Sequence, residues 1–319
     1  MYHPFFRGKQ FELLAIRESA KTIANAGFEP IIEPVRENFS GLGRALNALV
    51  VEKAVASVVV NPRHGDHRDE EGSVLKYLVD NFKANEFVCP AILLSSEMTL
   101  EQATKLVDEA LKGLAAEKAT LVHAGFLEGN RIATELSSNR YDGIEFTHVF
   151  LDIKNSLYLR AFRDKTRILV VDGFERKKNA DYGKLDRFSD IHATYEDYEA
   201  DGYGDFLTIG DHYSEGGGPA YAVAIHLTFI DPEQEDAMFV RHFVSDSNDT
   251  PVDPAGKFQQ ALGKLVAEVK GSGTPIVRTD AVEEFIALFD RRHFPGLGYV
   301  KKLSIKHHLE TLALYHADK

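Results

Sequence analysis

Ala56-Ser57-Val58-Val59-Val60-Asn61-Pro62-Arg63 is the stretch on which the fold turns. Three consecutive β-branched residues, Val58 to Val60, make an uninterrupted apolar run, as expected of a strand covered on both faces in a parallel sheet. Leu75, Leu78 and Phe82 then recur at helical spacing, so a helix with one apolar stripe follows the strand.

The same alternation extends outward in both directions. Strands are predicted from His3 to Phe6 and near residues 29–34, 56–61, 87–95, 119–123, 146–152, 166–171 and 205–210. A first helix carries Leu13, Ile16, Ala20 and Ile23 and ends at Gly27; others are predicted at about 41–54, 69–84, 99–117, 128–139 and 155–164. Thr99-Leu100-Glu101-Gln102 has the form of a capping box. Eight βα units predict an α/β fold, a (β/α)8 TIM-type barrel. The connection from Gly173 to Gly204 is weakly patterned, with Phe188, Ile191, Tyr195 and Tyr198 as a faint helical stripe.

Past the eighth strand the alternation breaks. Tyr221 to Ile230 and Met238 to Val244 flank the polar turn Asp231-Pro232-Glu233-Gln234-Glu235. Tyr213 to Ala220 is too short for a parallel crossover, so residues 221–244 are predicted to form an antiparallel hairpin. Helices follow at about 255–270, 281–292 and 301–316, the last two within a helical appendage over 281–319. With no repeats or low-complexity linkers, residues 1–319 are expected to form a single domain.

The 319 residues are 44% hydrophobic and 27% charged, which excludes wholesale disorder and collagen-like or disulfide-dense scaffolds. No run approaches the ~20 apolar residues of a membrane span. Forty-nine acidic against 37 basic residues leave a net charge of −12, which opposes non-specific binding to nucleic acid or anionic membranes. The opening residues lack a signal peptide's apolar run and Cys89 is the single cysteine, so a cytoplasmic protein without disulfides is expected.

The opening Tyr2-His3-Pro4-Phe5-Phe6-Arg7-Gly8-Lys9-Gln10-Phe11-Glu12-Leu13-Leu14-Ala15, continued by Pro30-Ile31-Ile32-Glu33 and by Gly298-Tyr299 through His307-His308-Leu309, resembles the beta-protein family, named for a phage protein and found in bacteria. In that family a Tyr-x-Pro strand leads to a basic residue, Gly-Lys, and a Glu opening the first helix. The resemblance implies a barrel-like fold and an association with phages or mobile elements. It implies no settled reaction.

Barrel enzymes place their chemistry where strands end and βα loops begin. Those positions hold Arg7 and Lys9, Glu33 and Arg36, Asn61 and Arg63, Ser95, His123, Asp152 and Lys154, Asp172, and Asp211, His212 and Tyr213. Repeated strand-end carboxylates suit a divalent cation or paired acid and base work, although Asp after a strand is equally a cap or turn residue. The leading reading is an enzyme that hydrolyses a phosphate-containing or other anionic small substrate. Lys9, Glu33, His123 and Asp172 are its catalytic candidates, with Glu33 or Asp172 as general base. Arg7, Asn61, Arg63 and the Gly216-Gly217-Gly218 triplet are candidates for substrate binding. Asp152 and Asp211 are candidate ligands of Mg²⁺ or Mn²⁺, which oxygen donors favour over structural zinc. Lys9 is expected to pair with Glu33. A metal-free variant uses Lys9, Glu33 and His123.

A rival reading is a non-catalytic partner-binding protein. Its interface would be the hairpin and C-terminal helices, with Tyr221, Phe229, Phe239 and Phe243 as anchors. Asn61 to His67 matches no standard zinc site, His307 and His308 point to different helix faces, and Cys89, before Pro90 in an apolar strand, reads as buried and inert.

Overall fold

The computed structural model describes residues 1–216 and 218–318. Its chain forms two compact units: Met1–Val171 with Ile191–Asp205, and Asp172–Asp190 with the chain from Phe206 onward.

The first unit is an eight-stranded parallel barrel. Its strands are β1 (Phe5–Phe6), β2 (Ile31–Ile32), β3 (Ala56–Val59), β4 (Val88–Ser95), β5 (Lys118–Ala124), β6 (Glu145–Phe150) and β7 (Thr166–Val171), hydrogen-bonded in that order. β8 (Leu185–Ser189) belongs to the second unit, and β9 (Gly202–Asp205) is the eighth barrel strand, parallel to β7. Tyr203 closes the ring against the N-terminus: it donates its amide to Met1 O at 2.9 Å and accepts that of His3 at 2.7 Å.

The intervening helices are α1 (Gln10–Glu18), α2 (Ala20–Asn25), α3 (Ser40–Val51), α4 (Ser73–Phe82), α5 (Leu100–Leu114), α6 (Gly129–Leu136), α7 (Ser156–Arg160) and α8 (Ile191–Thr194). The capping box forms as expected, Thr99 Oγ1 accepting the Gln102 amide and Gln102 Oε1 accepting that of Thr99. The predicted first helix is interrupted at Ser19, where φ −100° and ψ 8° leave the helical region. Leu78 and Phe82 of α4 are buried, as the stripe required.

The eighth strand differs from expectation. The apolar run Phe206-Leu207-Thr208-Ile209 forms a short 3-10 turn with Leu207 at φ +54° and Gly210 at +77°. The strand lies upstream, at Gly202-Tyr203-Gly204-Asp205, where a side chain would not fit. A Cβ on Gly202 would stand 2.4 Å from Met1 O, and one on Gly204 2.2 Å from His3 O. Glycine inside a strand here marks the close approach of another backbone, and Asp205, not Asp211, ends the strand.

In the second unit, β10 (Ala224–Asp231) and β11 (Ala237–Val244) form the expected antiparallel hairpin, and β8 adds a third strand against β11. The weakly patterned connection before Gly204 therefore contributes to this sheet. Helices α9 (Pro254–Lys270), α10 (Asp280–Asp290) and α11 (Leu297–Ala317) follow. Ile225, Leu227 and Phe229 alternate along β10 and pack with Phe239, Phe243, Phe258, Leu262, Leu265 and Phe285 into one core. The aromatic side chains proposed as partner anchors are thus core, apart from Tyr221, which is half exposed. His307 and His308 both clamp α11 to β10: His307 Nε2 donates to Thr228 O at 2.8 Å and His308 Nδ1 meets the Thr228 hydroxyl at 2.9 Å. Among the described residues no helix is long and apolar enough to cross a membrane.

Candidate functional site

Which side chains enter the barrel follows from one contact. Ser57 of β3 and Thr120 of β5 bring their hydroxyls to 2.7 Å although β4 separates the two strands. Only the barrel interior allows that meeting. Strand pairing then propagates the facing, since Phe5, Ile31, Ser57 and Cys89 lie in register, as do Ala91 and Thr120. Cys89 thus faces inward, and burial, followed by the nearby Glu29 charge, pushes its thiol up to about 11.

Two residues past Phe5 and Ile31, the same alternation delivers Arg7 and Glu33 to the C-terminal mouth. Arg7 Nη1 donates to Glu33 Oε2 at 2.7 Å, both side chains are buried, and the guanidinium lies 4.8 Å over the Phe5 ring. The other Glu33 oxygen accepts the amides of Arg63 at 2.8 Å and His64 at 3.1 Å. Glu12 Oε2 accepts the Arg7 amide at 2.6 Å, so the first helix is tied to the same centre. Gly8, at φ +62°, lets the chain pass Glu33 O, which a Cβ would meet at 2.8 Å.

Glu33 therefore organises the mouth. The guanidinium paired with it is that of Arg7, a partner that the sequence reading did not single out; Lys9 is the half-buried N-cap residue of α1. One Glu33 oxygen thus meets a guanidinium and the other two backbone amides.

The loop after β3 is fastened along its length to the loop after β2. Asp66 N donates to Val35 O at 3.3 Å, Asp66 Oδ2 accepts the Glu37 amide at 2.8 Å, and His67 Nε2 donates to Arg36 O at 2.8 Å while its Nδ1 meets Ser73 Oγ at 3.0 Å. Gly65, at φ +77°, permits the crossing, because a Cβ there would stand 2.2 Å from Val35 O. His64 rides half-buried on this clamped loop. The sequence reading found no zinc pattern in that loop and took Asn61 and Arg63 as binding candidates, but did not single out His64, whose signal was the glycine that follows it. Asn61 uses its side chain to continue the sheet, accepting the Leu93 amide and donating to Leu93 O, both at 2.8 Å.

His123 is placed elsewhere. It sits one residue out of phase with Thr120 and Val122 on β5, so it faces the helices. There it stacks on Phe150 at 4.5 Å and packs edge-on to Phe162. Its Nδ1 meets Tyr158 Oη at 2.7 Å and its Nε2 meets His148 Nδ1 at 3.0 Å. Burial, then His148, holds it well below the usual histidine range, and burial lowers His148 to about 3. His148 borders a cavity of about 200 Å³ that Asp164, Lys165 and Ser137 also line.

Asp152 is exposed and accepts the Lys154 amide at 2.9 Å, an ordinary Asx turn. In the second unit Asp172 accepts the amides of Phe174 at 3.1 Å and Asp211 at 2.9 Å, ordering the turn that Gly210 makes. Gly216 and Gly218 are exposed, and Gly217 lies outside the described residues. Among the described residues no group of three or more His, Cys, Asp or Glu side chains forms a cluster able to hold a metal ion. Asp152 and Asp211, the expected oxygen donors, belong to no such group among the described residues.

No protein-family model matches the chain, and no curated protein matches it.

Proposed function

We propose that the protein is a barrel hydrolase acting on a phosphate-containing or other anionic small substrate at the mouth built around Arg7 and Glu33. The observation that carries this reading is the buried Arg7–Glu33 pair, with a second cationic residue, Arg63, carried on a loop whose amides Glu33 holds. Burying such a pair at a strand end costs stability that an apolar pair would not. Function at the C-terminal mouth gives a reason to keep it.

Arg63 and Lys9 supply cationic groups for the substrate anion, and His64 handles the proton. Water attacks the phosphorus, His64 takes the water proton, and the phosphorus–oxygen bond to the leaving group breaks as that oxygen keeps the electron pair. Glu33 fixes where Arg7 and the Arg63–His64 backbone stand.

A panel of phosphate mono- and diesters, with inorganic phosphate release as readout, tests the reading. The expected result is turnover of at least one class, lost in His64→Gln and in Arg63→Met while both variants keep the wild-type melting temperature. Inorganic phosphate should also raise the melting temperature of the wild type and not of Arg63→Met. No turnover of any ester and no phosphate-dependent shift would overturn it.

A further inference from the structure

The second unit holds a chain of titratable groups that the barrel mouth does not use. Asp186 of β8, His242 of β11 and His226 of β10 lie side by side on the three-stranded sheet. Asp186 Oδ2 stands 3.2 Å from His242 Nε2, and His242 Nδ1 stands 2.7 Å from His226 Nδ1. Lys177 Nζ holds the same Asp186 oxygen at 2.9 Å and also pairs with Glu175. The Tyr182 ring packs 4.6 Å from His242 and 4.8 Å from His226, and Phe174 closes on His226 at 5.0 Å.

This geometry assigns the protons. An ionised carboxylate only accepts, so His242 Nε2 carries a hydrogen and donates it to Asp186. In a neutral imidazole the other nitrogen is then an acceptor, so the hydrogen between the two Nδ1 atoms belongs to His226. That leaves a lone pair on His226 Nε2. Among the described residues nothing hydrogen-bonds this nitrogen, and His226 is half-buried while His242 is buried. The chain runs from a fixed carboxylate through His242 to an unprotonated nitrogen on His226.

We propose that His226 Nε2 is a nucleophilic site, positioned by His242 and Asp186, that accepts an activated acyl group of the anhydride class. In the step, Nε2 bonds to the acyl carbon, the carbon–oxygen bond to the leaving group breaks, and the departing oxygen keeps the electron pair. The Nδ1 proton crosses to His242 Nδ1, giving a neutral acyl-imidazole and an imidazolium beside Asp186. The charges support that transfer. Burial, then His242 and Lys301 of α11, keep His226 neutral, at about 3, with Asp186 opposing, whereas His242 is lowered by burial against the Asp186 charge and hydrogen bond. Moving the proton to His242 brings positive charge to the ring that is hydrogen-bonded to Asp186, whose charge and hydrogen bond favour it there while Lys177 opposes it.

Diethyl pyrocarbonate is the probe, applied to the full chain with peptide mass spectrometry to read each of the 13 histidines. His226 should label fastest. Asp186→Asn keeps an acceptor for His242 without the charge and should slow His226 labelling by about tenfold or more while labelling elsewhere is unchanged. Long-range ¹⁵N correlation spectra of the unmodified protein supply a readout that needs no variant: His226 should be protonated on Nδ1 and bare on Nε2. The opposite tautomer, or equal His226 labelling in wild type and Asp186→Asn, would overturn the proposal. Neither readout depends on hydrolysis at the barrel mouth.

Discussion

Ser57 and Thr120 meet hydroxyl to hydroxyl at 2.7 Å through the barrel interior, over the strand that lies between theirs. That contact sets which residues of β3 and β5 face inward, and hence which strand-end groups reach the mouth.

Ser57→Ala leaves the buried Thr120 hydroxyl without this partner and should cost about 1–3 kcal/mol. Ser57→Ala with Thr120→Val should cost less than the two single changes added together. Urea denaturation of the four proteins checks this; strict additivity would mean that the hydroxyls do not interact.

Arg7→Met strands the Glu33 carboxylate and should destabilise by about 3–5 kcal/mol, whereas Arg7→Met with Glu33→Leu should recover much of that loss. Denaturant midpoints decide it. A double variant as unstable as the single one would contradict a buried pair at this position.

The pH dependence follows from the buried histidines. His3 and His148 are held at about 3 by burial, and His123 well below 6.5. Between pH 6.5 and about 3 the unfolded chain binds protons that the folded chain refuses, so their contribution is complete above 6.5 and is lost as pH falls through that window. Glu29 and Glu310, raised by burial, work in the opposite sense. Urea midpoints at pH 7, 6 and 5 should fall steadily, and His148→Gln should flatten the slope. A midpoint independent of pH over that range would show that these histidines titrate alike in both states.

Gly204→Ala should destabilise by about 1–3 kcal/mol or more, because its Cβ would meet His3 O at 2.2 Å in backbone that cannot yield. Gly216→Ala, with nothing within 4 Å of the added carbon, is the control and should melt as the wild type does. Equal melting temperatures would place the closing seam elsewhere.

The alternation of strands and helices, the Thr99–Gln102 capping box, the hairpin and the three following helices were legible in the sequence, because each is written in a local period or a spacing of three or four residues. So was the concentration of charge at strand ends, including Arg7 and Glu33. Tertiary structure decided the rest. Facing in a strand reverses with a one-residue shift, and that sent His123 to the helices and Arg7 and Glu33 to the mouth. The closing strand lies at Gly202–Asp205 because two backbones must touch there, a demand that outweighs the higher strand propensity of Phe206 to Ile209. Neither the pairing of Glu33 with Arg7 nor the Asp186–His242–His226 chain could be read from spacing, since their members come from different strands that only the folded sheets bring together.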